Sequence, residues 1–176
     1  IGRNFMNKLW NACRFIQLNT NSDFELDLQI NKENLALPEK WILSRMENAT
    51  ETMIHQLERF NFNEAAKVIY EFTWSDFCDW YIEICKVRFQ NQDLDLSNIS
   101  RAICFRCVQV ILRLLHPYAP FITEQLWLQF KPSGSKDLII SSFPKCQNKY
   151  KNKTADQKME ALKNIVISIR STRSRM

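Results

Sequence analysis

Glycine is nearly missing from this sequence, with two residues in 176, and there are only five prolines and two histidines. So few chain-turning residues exclude the many tight turns of a sandwich or barrel, and they leave no material for a glycine-rich phosphate loop. No apolar run reaches bilayer-spanning length, and Ile1 to Thr20 lack the apolar core and small-residue cleavage site of a signal peptide. A soluble cytoplasmic protein is therefore expected, with no membrane partner. Neither an H-E-x-x-H pattern nor a G-x-S-x-G elbow occurs, so zinc-protease and serine-hydrolase chemistry have no residues to rest on. Asp76, Asp79 and Glu83 gather carboxylates on one stretch, but paired acids are common on helix faces and none is expected to be catalytic.

Six cysteines are present, five of them near apolar positions of helical stretches, where they read as free thiols packed like small hydrophobes. Cys104 and Cys107 form one C-x-x-C, but no second pair stands at ligand spacing and the histidines are scattered. No bound metal is expected.

What the chain does have is apolar periodicity, with 45% apolar residues arranged at helical steps. The spacing predicts an all-α protein: a bundle of about five to six helices, a short extended segment near 138–144 and a C-terminal helix. Phe62 to Arg88 reads as one long central helix with Ala65, Ala66, Ile69, Phe72, Thr73, Phe77, Trp80, Tyr81 and Ile84 inward. A helix starting at Pro38 precedes it, joined by a link so short that the two must be antiparallel neighbours. Polar loops are expected at Thr20 to Leu37, around Asp23, Glu25, Asp27, Asn31 and Glu33, and at Gln90 to Asn98, with Ser97 or Asn98 capping the next helix. Pro117 and Pro120 break that helix after His116, a residue expected to be structural, and a further helix follows to Phe130.

Charge divides the chain. From Lys131 onward there are eleven Lys or Arg against three acids, whereas the first 130 residues hold thirteen basic and sixteen acidic. We therefore expect a helical bundle at 1–130 and a basic appendage at 131–176, where Arg170, Arg173 and Arg175 lie close in sequence. Net charge is +5, compatible with a polyanion partner.

The first helix, about Gly2 to Leu18, carries the most informative surface. Phe5, Leu9 and Ala12 face inward; Arg3, Asn4, Asn7, Lys8, Asn11, Arg14 and Gln17 face out, and no acid precedes Asp23. Cations and amides without competing carboxylates suit phosphates and base edges. The same residues would also suit an ordinary wet helix. Trp10 is expected to edge the core. The pattern begins inside a helix and ends without a stop signal, as a piece cut from a longer protein would.

Three stretches carry a family resemblance: NKLWNACRF at Asn7 to Phe15, FNEAAKVIYEFTWSDFCDWYIE at Phe62 to Glu83, and ILRLLHPYAPFITEQLW at Ile111 to Trp127. Together they resemble the anticodon-binding domain of valyl-tRNA synthetases, over nearly the whole chain; the last stretch is similar to one shared by the class I enzymes for valine, isoleucine and leucine. Phe143 stands where that family often has tryptophan. The resemblance implies a helical bundle that holds the anticodon stem-loop of a valine tRNA, in a monomeric enzyme whose catalytic and editing domains lie elsewhere. The parent uses ATP with Mg; these residues carry neither the HIGH-type nor the KMSKS-type nucleotide motif of class I synthetases, so no cofactor and no aminoacylation are expected here. A coiled-coil arm is expected beyond the C-terminal appendage. The tRNA-binding candidates are Arg3, Lys8 and Arg14 for phosphates or base edges, Asn7 and Asn11 for hydrogen bonds, and Lys86 and Arg88 for further phosphates. The alternative is a helical protein-interaction scaffold with no nucleic-acid role.

Overall fold

Apolar side chains three and four residues apart decide where each helix turns its inner face, and helix ends form where a cap or a proline allows them. The computed structural model describes residues 2–20, 35–90 and 93–174. In order these form α1 (Gly2–Leu18), α2 (Leu37–Glu58), α3 (Phe62–Glu71), a π-helical segment (Phe72–Tyr81), α4 (Ile82–Phe89), α5 (Leu94–Leu115), α6 (Pro120–Phe130), a single 3-10 turn (Leu138–Ile140) and α7 (Lys153–Ser174). The chain is an all-α bundle of six helices when the continuous α3–π–α4 element is counted once, with no strand among the described residues. The polar loop around Asp23 and Glu33 lies outside the described residues, as does Arg175.

Local chemistry explains the boundaries. Pro38 occupies the first turn of α2, where its missing donor costs nothing. The same helix ends in a Schellman motif: Phe60 N–H donates to Leu57 O at 3.0 Å and Asn61 N–H to Gln56 O at 2.9 Å. That motif needs a left-handed residue, and Phe60 supplies it at φ 60°. The start of α5 differs from the expected one. Asp93 caps it, accepting from Leu96 N–H at 3.0 Å, so 94–98 are helical and Ser97 is buried inside. An aspartate four residues upstream of the expected cap competes better for the free amides than the later serine. Asn152 caps α7 by accepting from Ala155 N–H at 2.9 Å. Near 138–144 the backbone first makes the 3-10 turn and takes extended angles only from Ser141.

The central element holds the main departure from simple periodicity. Phe62 to Phe89 is continuous, but its middle ten residues bond i to i+5, as in Ile82 N–H to Phe77 O. The wider turn shifts the inner face. Asp76, Cys78, Ile82 and Cys85 are buried along with Phe72, Thr73, Phe77 and Tyr81, while Ala66, Trp80 and Ile84 are only partly covered. Trp80 faces α7, where Lys163 Nζ and Arg170 Cζ lie 5.6 and 5.7 Å from its ring.

The elements share one core. Leu9, Ile42, Met53, Ile69, Phe77, Ile103, Ile111 and Phe130 are all completely buried in it, each such side chain contributing roughly 1.5–3 kcal/mol. α2 packs against α3, the π segment, α5 and α7. The first half of α7 joins the core through Ala155 and Met159, whereas Ile165, Ile167 and Ile169 farther along are more than half exposed.

Candidate nucleic-acid interface

Because Phe5, Leu9, Ala12, Cys13 and Ile16 are buried, the opposite side of α1 is forced into water. Arg3, Asn7, Asn11 and Arg14 follow one another at steps of four, four and three residues along that side, and all are exposed. Among the described residues none of the four has a side-chain hydrogen bond or ion pair. α1 contains no acid. Trp10 belongs to this surface and not to the core: it is 39% exposed, three residues from Asn7 and four from Arg14. Leu9 and Ala12, before and after it on the helix, take the inward positions.

The inner side of α1 is held firmly, so the outer row is pre-arranged. Phe5 packs on Tyr70 and Trp74, with centroids 5.0 and 6.5 Å away, and Phe15 stacks on Phe89 at 5.6 Å. These pairings ascend together, so α1 runs parallel to the central element. Beyond its end, Arg101 Nε donates to Asn19 O at 2.6 Å while its guanidinium sits 5.0 Å from the Phe89 ring.

The other expected contact residues are placed differently. Lys8 is turned sideways, its ammonium 3.7 Å from the Trp74 centroid and hydrogen-bonded to Asp79. The same ammonium opposes the burial that pushes the nearby Cys78 thiol up to about 12. Lys86 donates to Glu83 at 2.6 Å, an exposed pair worth at most about 1 kcal/mol that a phosphate could replace. Arg88 is not a surface cation. Its Nη1 lies 2.5 Å from Oε1 of Glu39, a carboxylate with no solvent exposure, which also accepts from Ser100 Oγ at 3.2 Å and Tyr81 Oη at 3.4 Å. An ionised glutamate buried in this core needs a cation, and Arg88 is that cation. Its partner is 49 residues away in the chain, so no local pattern could disclose the pairing.

The remaining reactive groups are structural in their surroundings. His116 Nδ1 and Thr123 Oγ1 lie 2.8 Å apart across the proline break. Cys104 and Cys107 are completely buried, and burial pushes both thiols up; Cys85 Sγ is 3.6 Å from Cys104 Sγ. Among the described residues no group of three or more His, Cys, Asp or Glu is arranged to hold a metal.

The family model for the anticodon-binding domain of tRNA ligases matches residues 39–176, most of the chain. The chain belongs to that family. Its match begins inside α2, so the cationic row of α1 precedes it, but whole-chain comparison includes α1. Over 98% of this chain, a valine–tRNA ligase of Dehalococcoides mccartyi is 41% identical; one of Thermotoga maritima is 37% identical over 99%, and one of Staphylococcus carnosus 34% over 97%. The chain spans 19% of the length of each of these curated relatives. Within an anticodon-binding domain, an unpaired cationic row flanked by an exposed tryptophan is suited to a single-stranded loop: guanidiniums for phosphates, amides for base edges and an indole for stacking.

Two further cations belong on this inventory although spacing did not single them out as contacts. Arg170 and Arg173 are exposed on α7. Their sequence signals were the basic balance of the last 46 residues and the close spacing of Arg170, Arg173 and Arg175.

Proposed function

We propose that this chain is the part of a valine–tRNA ligase that grips the anticodon stem and loop, positioning the tRNA for aminoacylation by domains outside these residues. The observation that carries the reading is the row Arg3, Asn7, Asn11 and Arg14, exposed, unpaired among the described residues and free of acids along its helix. Arg3 and Arg14 hold phosphates or base edges, Asn7 and Asn11 hydrogen-bond bases, and Trp10 offers a stacking face. Lys8 and Lys86 act at the margin by exchanging a carboxylate for a phosphate. Arg88 has no part in it. Valine specificity is inferred from the relatives, all three named for that amino acid.

In this reading residues 1–130 form the grip, and 131–176 form a basic extension toward a further tRNA-contacting arm. The whole enzyme is a monomer working in the cytoplasm, and it uses ATP with Mg. That chemistry does not fit the residues present: the only glycines, Gly2 and Gly134, stand alone, and neither begins a phosphate-binding loop. The catalytic step therefore belongs to the rest of the polypeptide.

A titration tests the reading. This chain is mixed with a valine tRNA anticodon stem-loop, and with a scrambled-anticodon copy, at low and moderate salt. Tighter binding of the valine loop, weakening steeply with salt, is expected. Equal binding of both loops would reduce the chain to a phosphate cradle, and absence of binding would overturn the proposal.

A further inference from the structure

α6 and the turn that follows enclose an apolar groove of about 530 Å³, open to solvent and walled chiefly by His116, Pro120, Phe121, Leu128 and Ile139. Its apolar residues are strongly exposed: Phe121 by 91%, Ile139 by 75% and Leu128 by 53%. Ile140, next in the chain, is 64% exposed. Such side chains standing together in water mark a docking surface, since each forgoes the burial that a core position would give it.

The groove is built and held. The Glu124 carboxylate accepts from the backbone N–H groups of Leu138 at 2.9 Å and Ile139 at 3.2 Å, tying the 3-10 turn to α6. Trp127 Nε1 donates to Lys136 O at 3.0 Å, anchoring the approach to that turn. Phe121 from α6 and Ile139 from the 3-10 turn thus both line the groove on backbone that the Glu124 carboxylate ties together.

Charge identifies the class of partner. Among the described residues, the charged ones lining the groove are Glu124 and Asp137, both acids, so a phosphate backbone would meet like charge there. Asp137 is 65% exposed and paired only at 3.6 Å, with Lys131. A second copy would bring the same acids face to face across a two-fold axis. An apolar polypeptide segment carrying a cation beside Asp137 meets neither objection.

We propose that this groove receives a segment of the same polypeptide from outside these 176 residues, inserting an aliphatic or aromatic side chain between Phe121 and Ile139. The proposal rests on the reading of the chain as part of a longer ligase, supported by the 19% of relatives' length that it spans. It assigns α6 and the 3-10 turn to the seam between the anticodon-binding bundle and the rest of the enzyme.

The test places a photo-cross-linking benzoylphenylalanine at position 121 of the full-length ligase, with a control probe at Thr52, exposed on α2. Irradiation is expected to give a product of monomer mass whose cross-linked peptide maps outside these residues, and none from the control. A covalent dimer would overturn the proposal in favour of self-association, and a tRNA adduct in favour of nucleic acid. A peptide from within the chain, or no product at all, would overturn it too. Titrating the same preparation with the anticodon stem-loop separates this outcome from the tRNA-binding reading, because that binding does not involve position 121.

Discussion

Lys163 of α7 reaches across to Asp76 in the π-helical segment, Nζ to Oδ1 at 3.2 Å, and so joins the basic end of the chain to its middle. The carboxylate is almost fully buried and its other oxygen accepts from Arg45 Nε of α2 at 2.7 Å. Lys163 also lies 5.2 Å from the Trp41 ring and 5.6 Å from that of Trp80. One acid thereby holds three helical elements together.

Replacing it should loosen all three. Asp76→Asn is expected to lower unfolding stability by roughly 3 kcal/mol, because two cations lose a buried partner. Adding Lys163→Met should restore part of the loss. Urea unfolding measures both, and an unmoved midpoint in the single variant would show that α7 docks without help from Asp76.

Arg88→Met is expected to destabilise the bundle by about 3 to 5 kcal/mol, since it strands the Glu39 carboxylate in a site without solvent. Glu39→Gln combined with Arg88→Met should lose less. If Arg88→Met instead left stability intact and weakened stem-loop binding, the residue would return to the interface.

Arg14→Ala should leave folding unchanged and weaken stem-loop binding by roughly 1 to 3 kcal/mol, with the salt slope reduced by about one. Arg3→Ala should behave alike. Titrations at several salt concentrations read both effects, and unchanged affinity for both variants would remove α1 from the contact surface.

Phe60→Gly is expected to stabilise the protein by roughly 0.5 to 1 kcal/mol. Glycine adopts the left-handed angle that Phe60 holds at φ 60°, and with 79% of Phe60 exposed little burial is lost. Thermal unfolding checks the sign; a lower midpoint would mean that the Phe60–Phe62 edge contact, 6.3 Å between centroids, outweighs the backbone strain.

Stability should fall as pH rises above the ordinary thiol value of 9.0. Burial raises the folded-state values of Cys13, Cys78, Cys104 and Cys107, that of Cys78 to about 12. The unfolded chain therefore releases these protons first. Their contribution is complete below 9.0 and is lost progressively above it, at roughly 1 to 2 kcal/mol per pH unit for each thiol. Cys78→Ala should flatten the decline measured by urea unfolding between pH 9 and 11, and an unchanged slope would contradict it.

Local pattern alone was enough for the helices themselves, the antiparallel turn between α2 and α3, the proline break at Pro117 and the wet face of α1. Each depends on side chains within a turn or two of one another, so neighbours in sequence carry the information. Trp10 and Trp80 mark where that ends. Both sit beside apolar residues in the chain, yet what covers an indole is decided by packing: nothing covers enough of Trp10, and the widened π turn hands Trp80 to Lys163 and Arg170.

The candidate interface divides the same way. Arg3, Asn7, Asn11 and Arg14 were legible because an acid-free helix face is visible in the string of letters. The fate of Lys8 and Arg88 was not, because Asp79 and Glu39 come from other helices, 71 and 49 residues away. Sequence by itself determined that this chain is an all-helical member of its family with a cationic first helix. Tertiary structure decided which of those cations remain free, because the charge of a lysine or arginine is available to a partner only if no carboxylate from a distant helix has already neutralised it.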